Sequence, residues 1–595
     1  TDQWIAAPKD PADLYTRMAY VRENHWKLTH LLNYNQTFYK HDIGMLLGFE
    51  EERFVKRTTD TAKLGLIDSS VGDSSSATTP SSIGGTGEEF TSRSYFGRIN
   101  YAFDSRYLFE VNMRYDGSSR FAPDNRWGLF PSFSAGWRIS EERFMKGLPI
   151  DNLKLRASWG KLGNNAIGNY EWQAVYNSAK YAFGGSLNNG LAITSISNNL
   201  LEWESTAITN IGIDFATLRN RLTFEAEFYN KVTDGILYRP DMYMSLGTAS
   251  GPRQNIAEVT NRGIEMTLNW QDRIGKVEYR VSGNFAYNQN KVSKYKGELQ
   301  RGWVTDENGN RVYQTNIGDV STGGSTRVIE GKMINEYYML QPYKGSGNGF
   351  NADGTVNING GPRDGMIRTV DDMKWLNAMV GAGYKFYPRQ NVSKSGIWYG
   401  DYIYADLNGD GVYGNDADNE FQGCSNVPKY NFGLQASANW KGFDFSMNWS
   451  GAAGFKIYYY RLALNSSATI KGYAIGEAIA NDHYFFDPKN PNDPRTNLSS
   501  KNPRLTNNSG NDQSGMTQSS VHLQKGDYIK LKNLPIGYTL PAVLSKKVYA
   551  QNIRFFASGE NLFTITGYEG MDPEMRTAVG YSTMRQYAFG VNITF

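Results

Sequence analysis

The sequence predicts an all-β protein whose strands form one large antiparallel transmembrane β-barrel. Three observations lead to this prediction. The last strand separates apolar from polar side chains, the same alternation recurs along the chain, and long loops alternate with short turns. All three are typical of barrels that cross an outer membrane, where long loops lie outside the cell and short turns face the periplasm.

The last strand carries the clearest alternation. Its bulky residues fall on one face, and they are Tyr587, Phe589, Val591, Ile593 and Phe595. Its small or polar residues fall on the other, and they are Ala588, Gly590, Asn592 and Thr594. Such a strand suits a wall between lipid and water. An exposed strand of this kind invites aggregation in a soluble protein, so we expect it to close a barrel by pairing with the first strand.

Composition excludes some classes of protein and leaves others open. Mean hydropathy is −0.54, and no run of about eighteen apolar residues could form a helical membrane span. The aromatic content of 14% fits interfacial girdles, although carbohydrate-binding β-proteins are also rich in aromatic residues. The formal net charge of +3 gives no case for nucleic acid as a partner. The single cysteine, Cys424, excludes an internal disulfide framework.

Taken in order, the chain begins without a clear period and becomes strand-like at His25. A first strand over 25–38, a turn at 39–41 and a second strand over 43–49 are predicted. The stretch 58–91 is rich in Ser, Thr and Gly and is predicted to be a mobile loop.

The next hairpin, 95–103 with 107–115, alternates most regularly. Bulky residues share one face, which we expect to meet lipid, while Arg98, Asn100 and Glu110 share the face toward an aqueous interior. The same alternation recurs in 129–139, 151–160, 204–217, 221–232, 257–270, 276–289, 430–440 and 443–449. Residues 526–540 shift phase near Asn533, which predicts a bulge, and 549–561 precede the last strand. About fifteen strands result.

The connections alternate between long and short along the whole chain. The predicted long loops are 53–93, 116–128, 161–203, 233–256, 290–428, 450–525 and 562–585. The predicted short turns lie near 39–41, 104–105, 140–150, 218–220, 271–275, 441–442 and 541–548. A soluble sandwich has no reason to keep this alternation over so many hairpins.

The number of strands indicates a portion of a larger barrel. Bacterial single-chain barrels have an even number of strands, whereas about fifteen are predicted here. No signal peptide is visible at Thr1, although an outer-membrane protein requires one for export, so either it was cleaved or the chain is missing its front. We therefore expect residues 1–595 to be the C-terminal part of a barrel whose first strands lie ahead of this chain.

Several stretches resemble the SusC/RagA family of TonB-dependent outer-membrane transporters in sequence, order and spacing. They are YDGSSRF at 115–121 with WGLFPS at 127–132, LKLRASWG at 153–160, NRGIE at 261–265, GDYIKLKNL at 526–534 with GY at 537–538, and SGENLF at 558–563. The resemblance implies a barrel of about 22 strands, an internal plug domain and a periplasmic segment that engages TonB. It also implies a SusD-like surface lipoprotein that covers the long loops as a lid. Neither the plug nor the TonB segment is visible in this sequence.

One loop has the oxygen spacing of a calcium site, and similar loops occur in the family it resembles. Asp406, Asn408 and Asp410 occupy ligand positions one, three and five, and Gly411 and Val412 follow at the glycine and carbonyl positions. Asp416 and Asp418 could close the site, because position twelve is an alanine. The predicted ligands are Asp406, Asn408, Asp410, Val412, Asp416 and Asp418. The alternative is an acidic, glycine-rich turn without metal; no organic cofactor is expected.

Aromatic residues in the long loops are candidates for substrate binding. The six selected are Trp172, Trp303, Trp375, Trp398, Tyr399 and Tyr402. Such rings could stack on sugars or pack against peptide side chains, but they could equally pack the loops themselves. Trp440 and Trp449 are predicted to be anchors at the membrane interface.

The function predicted from these features is active import of a nutrient, an oligosaccharide or an oligopeptide, across the bacterial outer membrane. The lipoprotein lid, TonB and outer-membrane lipid are the expected partners. A passive porin would share the strands and loops but lack a plug, and a soluble glycan-binding β-protein is a further alternative. A barrel enzyme would need a nucleophile and a base together on one rim, and the sequence indicates no such pair, so no enzyme is predicted.

Overall fold

The structure is a computed structural model in which strands dominate. It describes residues 14–66, 73–238, 253–295, 299–305, 311–318, 326–327, 330–387, 391–459, 480–505, 519–576 and 583–595. No helix in these ranges is both long and apolar enough to cross a membrane.

Fifteen strands among the described residues form one antiparallel sheet, which confirms the predicted fold class and strand count. In order of pairing they are β1 (Tyr15–Phe38), β2 (His41–Leu66), β3 (Ala77–Phe103), β4 (Tyr107–Ser118), β5 (Trp127–Arg138), β6 (Ile150–Asn164), β9 (Glu204–Thr217), β10 (Leu222–Tyr238), β11 (Gln254–Ile274), β12 (Val277–Tyr295), β20 (Tyr430–Trp440), β21 (Phe443–Ala453), β24 (Tyr528–Thr539), β25 (Asn552–Thr566) and β26 (Gln586–Thr594).

The remaining elements lie in the connections between these strands. They are β7 (Val175–Phe183), β8 (Ser186–Ser195), β13 (Leu299–Thr305), β14 (Arg311–Gly318), β15 (Thr326–Arg327), β16 (Glu336–Leu340), α1 (Val370–Gly381), β17 (Lys385–Phe386), β18 (Val412–Tyr413), β19 (Asn419–Phe421), β22 (Lys456–Tyr458), β23 (Leu523–Lys525) and α2 (Ala542–Ser545). Because each strand of the sheet pairs with the next one along the chain, all of these insertions leave the order of the sheet unchanged.

The chain divides into two compact units. The first comprises Thr1–Arg138, Arg156–Thr209 and Thr233–Ile256, and the second comprises Ile139–Leu155, Asn210–Val232 and Ala257–Phe595.

In the first unit, an apolar belt runs along one face of β2 to β5. Its long-loop edge is a row of aromatic rings, with centroids 5.4 Å apart for Phe49 and Tyr95 and 4.8 Å apart for Tyr115 and Trp127. Eight residues further along β3, Phe103 forms the other edge, about 27 Å away along the strand at about 3.4 Å per residue. This length matches the ~25 Å apolar band of outer-membrane barrels before strand tilt is considered.

The belt ends where charged residues replace apolar ones on the same face. Glu51 and Arg93 form the next cross-strand pair on this face beyond Phe49 and Tyr95. Their side chains form an ion pair of 3.0 Å. The opposite face of the sheet carries the charged and amide side chains of this region, among them Arg98, Asn100 and Glu110, as the alternation predicts. Its contacts include an ion pair of 2.9 Å between Lys27 and Glu50.

In the second unit, the last strand has the predicted faces. β26 pairs in register with β25, and its bulky side chains lie on the surface, with Phe589 81% exposed. Large apolar side chains exposed along a paired strand are what a lipid-facing surface requires, and they are not part of a protein core. The pairing of this strand with the first strand of a barrel stays a prediction.

The predicted loop 53–93 was wrong at both ends. Residues 53–66 and 77–93 were assigned to a loop but belong to β2 and β3, which continue in register through pairs such as Thr58 with Thr86. Here both faces of the sheet are polar, so the hydrophobic alternation that identifies a strand is absent although the ladder of backbone hydrogen bonds continues. β1 likewise begins at Tyr15, ahead of the predicted start at His25.

The other corrections concern connections that contain structure of their own. The predicted loop 161–203 holds the β7–β8 hairpin, and 290–428 holds β13 to β19 and α1. β25 continues to Thr566, into the predicted loop 562–585. The predicted bulge near Asn533 is confirmed, because the register of β24 shifts between Leu531 and Asn533.

Candidate functional site

The second unit carries a folded insert between β12 and β20, which packs with part of the connection between β21 and β24. We call these residues, 330–428 and 480–505, the insert. Its main core is a cluster of sixteen buried apolar side chains. They are Leu340, Tyr343, Met366, Ile367, Met373, Trp375, Leu376, Met379, Phe386, Ile397, Tyr399, Tyr402, Ile403, Tyr404, Tyr413 and Tyr484. The described residues of this insert therefore form a small folded body with its own core.

Helix α1 supplies the centre of this core. It begins with a capping box, in which the Thr369 hydroxyl accepts from the Asp372 backbone N–H and the Asp372 carboxylate accepts from the Thr369 N–H. Trp375 on this helix is fully buried, stacks on Tyr343 at 5.2 Å between centroids, and donates its indole N–H to the carbonyl of Asn357 at 2.8 Å. Its ring is used in packing and presents no surface to a substrate.

Two further predicted substrate residues also lie in the core. Tyr402 is buried, its hydroxyl donates to the carbonyl of Lys501 at 2.7 Å, and burial raises its pKa to about 12. Tyr399 is buried between Trp398 and Phe486, at 5.2 and 5.0 Å between ring centroids. The structure thus brings four of the six residues together in one insert, three of them buried.

The other predicted aromatic residues are placed differently. Trp398 is partly buried at the edge of the core. Trp172 is half-buried and belongs to the first unit. Trp303 lies in β13, and its side chain is outside the described residues.

A pocket of about 650 Å³ opens beside Trp398, which makes it a candidate substrate site of the insert. Residues from two segments line it, namely Lys394, Trp398, Tyr399, Asn481, His483, Tyr484, Phe485, Phe486, Asp487, Pro488, Arg495, Asn497, Arg504 and Leu505. Its volume lies within the ~300–1,000 Å³ typical of small-ligand sites.

One ion pair joins the two segments of this pocket. The guanidinium of Arg504 donates to both oxygens of Asp401, at 2.8 and 2.9 Å, and Asp401 is almost fully buried. Arg495 lies 4.5 Å from the ring centroid of Phe485, and its hydrogen bonds to Asp493 lower the pKa of that carboxyl to about 2. Aromatic walls with paired charges can stack on a sugar ring or hold an apolar peptide side chain.

The calcium-like loop is organised by its own backbone. Asp406 accepts from the N–H groups of Gly409 and Gly411, at 2.7 and 2.9 Å. Asp410 accepts from the N–H of Val412 and from the side-chain amide of Asn408. Asp416 is exposed on the outside of the turn.

Asp418, predicted to close the calcium site, is fully buried and accepts backbone hydrogen bonds from Leu407, Asn408, Gly414 and Asn415. Burial raises its pKa to about 6, although several of these bonds oppose the rise. Its carboxylate thus fixes the backbone of the loop from inside. Among the described residues, no three His, Cys, Asp or Glu side chains converge as metal ligands. The loop fits a calcium ion only in part, through Asp406, Asn408, Asp410 and the carbonyl of Val412.

One buried charge cluster was not predicted from the sequence. Lys530 of β24 is 3% exposed at its side chain and contacts Asp572 and Glu574, at 2.7 and 2.9 Å. Lys532 contacts Glu574 as well. The two lysines, Lys530 and Lys532, are two positions apart in the sequence, and so are the two acids, Asp572 and Glu574. This matching spacing is the signal that could have indicated the cluster. Lys530 and Asp572 are 42 positions apart in the chain, so sequence analysis does not show that they are close in space.

Comparison with known proteins agrees with this fold. Residues 5–562 match the family described as TonB dependent receptor-like, beta-barrel. The TonB-dependent receptor P39 of Formosa agariphila is 30% identical over 95% of this chain and 52% of its own length. The TonB-dependent receptor SusC of Bacteroides thetaiotaomicron is 27% identical over 84% of this chain and 43% of its own length.

A solved structure described as the RagAB peptide transporter superposes with a TM-score of 0.73 at 22% identity, over 97% of this chain and 56% of that one. The chain therefore belongs to the TonB-dependent receptor β-barrel family, whose members are receptors and transporters of the outer membrane and not enzymes. Within that family it is of the SusC/RagA type. It spans about half the length of the curated relatives that it matches.

Proposed function

We propose that the complete protein imports a nutrient across the outer membrane in a step powered through TonB. Residues 1–595 would be the C-terminal barrel portion, and the plug domain and the TonB-binding segment would lie ahead of them. The observation that carries the proposal is family membership over 5–562, since it concerns nearly the whole chain. The polar face of the sheet, with ion pairs such as Lys27 with Glu50, supports an aqueous conduit.

A SusD-like lipoprotein is the proposed partner at the long-loop rim. The match to SusC and the superposition on RagAB support this partnership. The folded insert supports it too, because a body with its own core can present a fixed surface to a lid. The cargo would be an oligosaccharide or an oligopeptide, held first in the pocket beside Trp398 and Phe485.

Uptake by cells that carry the complete protein tests the proposal. Labelled oligosaccharides and oligopeptides are supplied as two pools, and accumulation is measured with TonB present and with TonB deleted. We expect one pool to accumulate and accumulation to cease without TonB. The same cells that lack the transporter gene provide the background. Uptake that persists without TonB and follows the concentration gradient would instead support a passive porin.

The pocket is tested in the same assay with Trp398→Ala. Loss of one aromatic contact in a binding site is expected to raise the half-saturation concentration roughly fivefold or more. Phe350→Ala is the matched control, because Phe350 is an exposed aromatic of the insert outside the pocket. Equal effects of the two substitutions on the half-saturation concentration would show that the pocket does not bind the transported substrate.

We propose a calcium ion at Asp406, Asn408 and Asp410 as a stabiliser of the insert, and no step of transport depends on it. Equilibrium dialysis with labelled Ca²⁺ should find one bound ion in the wild type and none in Asp406→Asn. Asp371→Asn, which alters an exposed acid on α1, should keep the ion. Absence of bound calcium in the wild type would leave the loop as a self-sufficient acidic turn.

A further inference from the structure

The outer surface of β11 and β12 changes from apolar to basic within one pair of residues. Ile264 and Leu268 of β11 are exposed on the lipid-facing side, and Ile264 lies opposite Tyr287 of β12. The next positions on this face toward the long-loop end are Arg262 opposite Gln289, then Thr260 opposite Lys291. Strand periodicity places all of these side chains on one side of the sheet.

The polar residues beyond this boundary line a pocket of about 540 Å³. Arg262 and Lys291 provide its positive charges, and Thr260, Gln289 and Ser293 provide hydroxyl and amide groups. Glu330 is the one carboxylate among its described lining residues. The balance is one net positive charge at the level where lipid headgroups begin.

The two cations are available to a ligand. Arg262 donates its Nε–H to the side-chain oxygen of Asn230 at 2.8 Å, which orients the guanidinium. No carboxylate among the described residues forms an ion pair with Arg262 or Lys291. By contrast, Glu258 on the same surface forms an ion pair of 2.8 Å with Lys294.

We propose that this pocket binds the phosphorylated headgroup of an outer-leaflet lipid. A guanidinium held by its Nε presents its terminal N–H groups as a fork, which matches the geometry of a phosphate. Lys291 adds a second charge from the adjacent strand, and the side-chain amide of Gln289 adds a neutral donor. The hydroxyls of Thr260 and Ser293 already donate, to Ser293 and Glu258 respectively, so they shape the pocket wall. The acyl chains of the same lipid would continue along the apolar surface at Ile264 and Tyr287. The proposal is independent of any transported cargo.

Native mass spectrometry of the complete protein in mild detergent tests the site, with diphosphorylated lipid A as the probe. Two variants are compared with the wild type. One is the double variant Arg262→Gln with Lys291→Gln, and the other is the single variant Lys291→Gln. At about 1 kcal/mol for each basic residue, we expect affinity to fall roughly thirtyfold in the double variant and roughly fivefold in the single one. The single variant alters an exposed side chain, so it remains informative if the double variant folds poorly.

Lys276→Gln is the matched control, since Lys276 is an exposed cation at the turn between the same two strands, on the opposite rim. We expect it to bind the lipid as the wild type does, and we expect lipid A without phosphates to bind weakly to every variant. Unchanged binding in both pocket variants, or equal loss in the control, would overturn the proposal. So would millimolar inorganic phosphate that displaces the lipid, because the pocket would then be a site for free anions.

Discussion

Replacing Lys530 by Met is expected to destabilise the protein by about 3–5 kcal/mol and to release the loop after β25. Lys530 is almost fully buried between Asp572 and Glu574, so its removal leaves two carboxylates inside the protein with Lys532 as their remaining cation. The same loop is held by Tyr568, which is buried against Phe455, and these contacts depend on the loop staying in place.

Hydrogen exchange of residues 567–576, together with thermal unfolding in detergent, measures this effect. Lys532→Met is the matched control, because the side chain of Lys532 is 35% exposed and its loss should cost about 1 kcal/mol. The double variant Lys530→Met with Asp572→Leu should recover much of the loss, since no unpaired buried charge remains at that pair. Full protection of the loop in Lys530→Met would contradict the assignment of this cluster as its anchor.

The same charge cluster makes the free energy of unfolding depend on pH. Burial raises the pKa values of Asp572 and Glu574, but hydrogen bonds lower them by more, so both lie below the ordinary values of 3.8 and 4.5. Asp572 accepts from Lys530 and from the backbone N–H of Glu574, and Glu574 accepts from Lys532 and Lys530. An acid with a depressed pKa in the folded state binds fewer protons there than in the unfolded state. The stabilisation is therefore complete above pH 4.5 and is lost as the pH falls below it, and Lys530→Met should weaken this loss.

Placing an arginine at Ile99 is expected to cost about 2–4 kcal/mol in a bilayer. Ile99 lies midway between Tyr95 and Phe103 on the apolar belt, and its side chain is 48% exposed. In a soluble protein such an exposed position would accept arginine at almost no cost. The substitution therefore separates a lipid-facing surface from a water-facing one.

Refolding of the complete protein into lipid vesicles over a denaturant series gives this free energy. Two substitutions serve as controls. Ile83→Arg changes the same residue type on the same face of β3, but at a position beyond the belt, and it should be nearly neutral. Asn100→Arg changes the opposite, polar face next to Ile99 and should also cost little. A neutral Ile99→Arg would mean that the belt does not meet hydrocarbon.

The lipid-facing strands could be predicted because their information is local. Alternation at a period of two is a property of neighbouring residues, so the faces of β3, β4 and β26 follow from the sequence. The same holds for the bulge near Asn533, since an inserted residue shifts that period. Where both faces meet water, as in β2 beyond Arg53, the period is lost and only the backbone pairing defines the strand.

The candidate site depends on contacts between distant parts of the chain. The sequence identified Trp375, Trp398, Tyr399 and Tyr402 as aromatic residues in loops. Residue type alone does not tell whether an aromatic side chain lies on a binding surface or in a core. Packing around α1 buried three of them and left Trp398 at a pocket. Likewise, the spacing at Asp406 indicated a loop with oxygen ligands, while the use of Asp418 as an anchor for backbone amides required the folded loop.

Sequence patterns alone were sufficient to predict a sheet with one apolar and one polar face, and connections that alternate in length. Both properties arise from side chains close together in the chain. Only the folded chain shows which polar groups are buried together, as Lys530 and Asp572 are although 42 positions apart. It also shows which cations have no carboxylate partner among the described residues, as is the case for Arg262 and Lys291. The reason is that burial and charge pairing depend on distance in space, which a linear pattern does not encode.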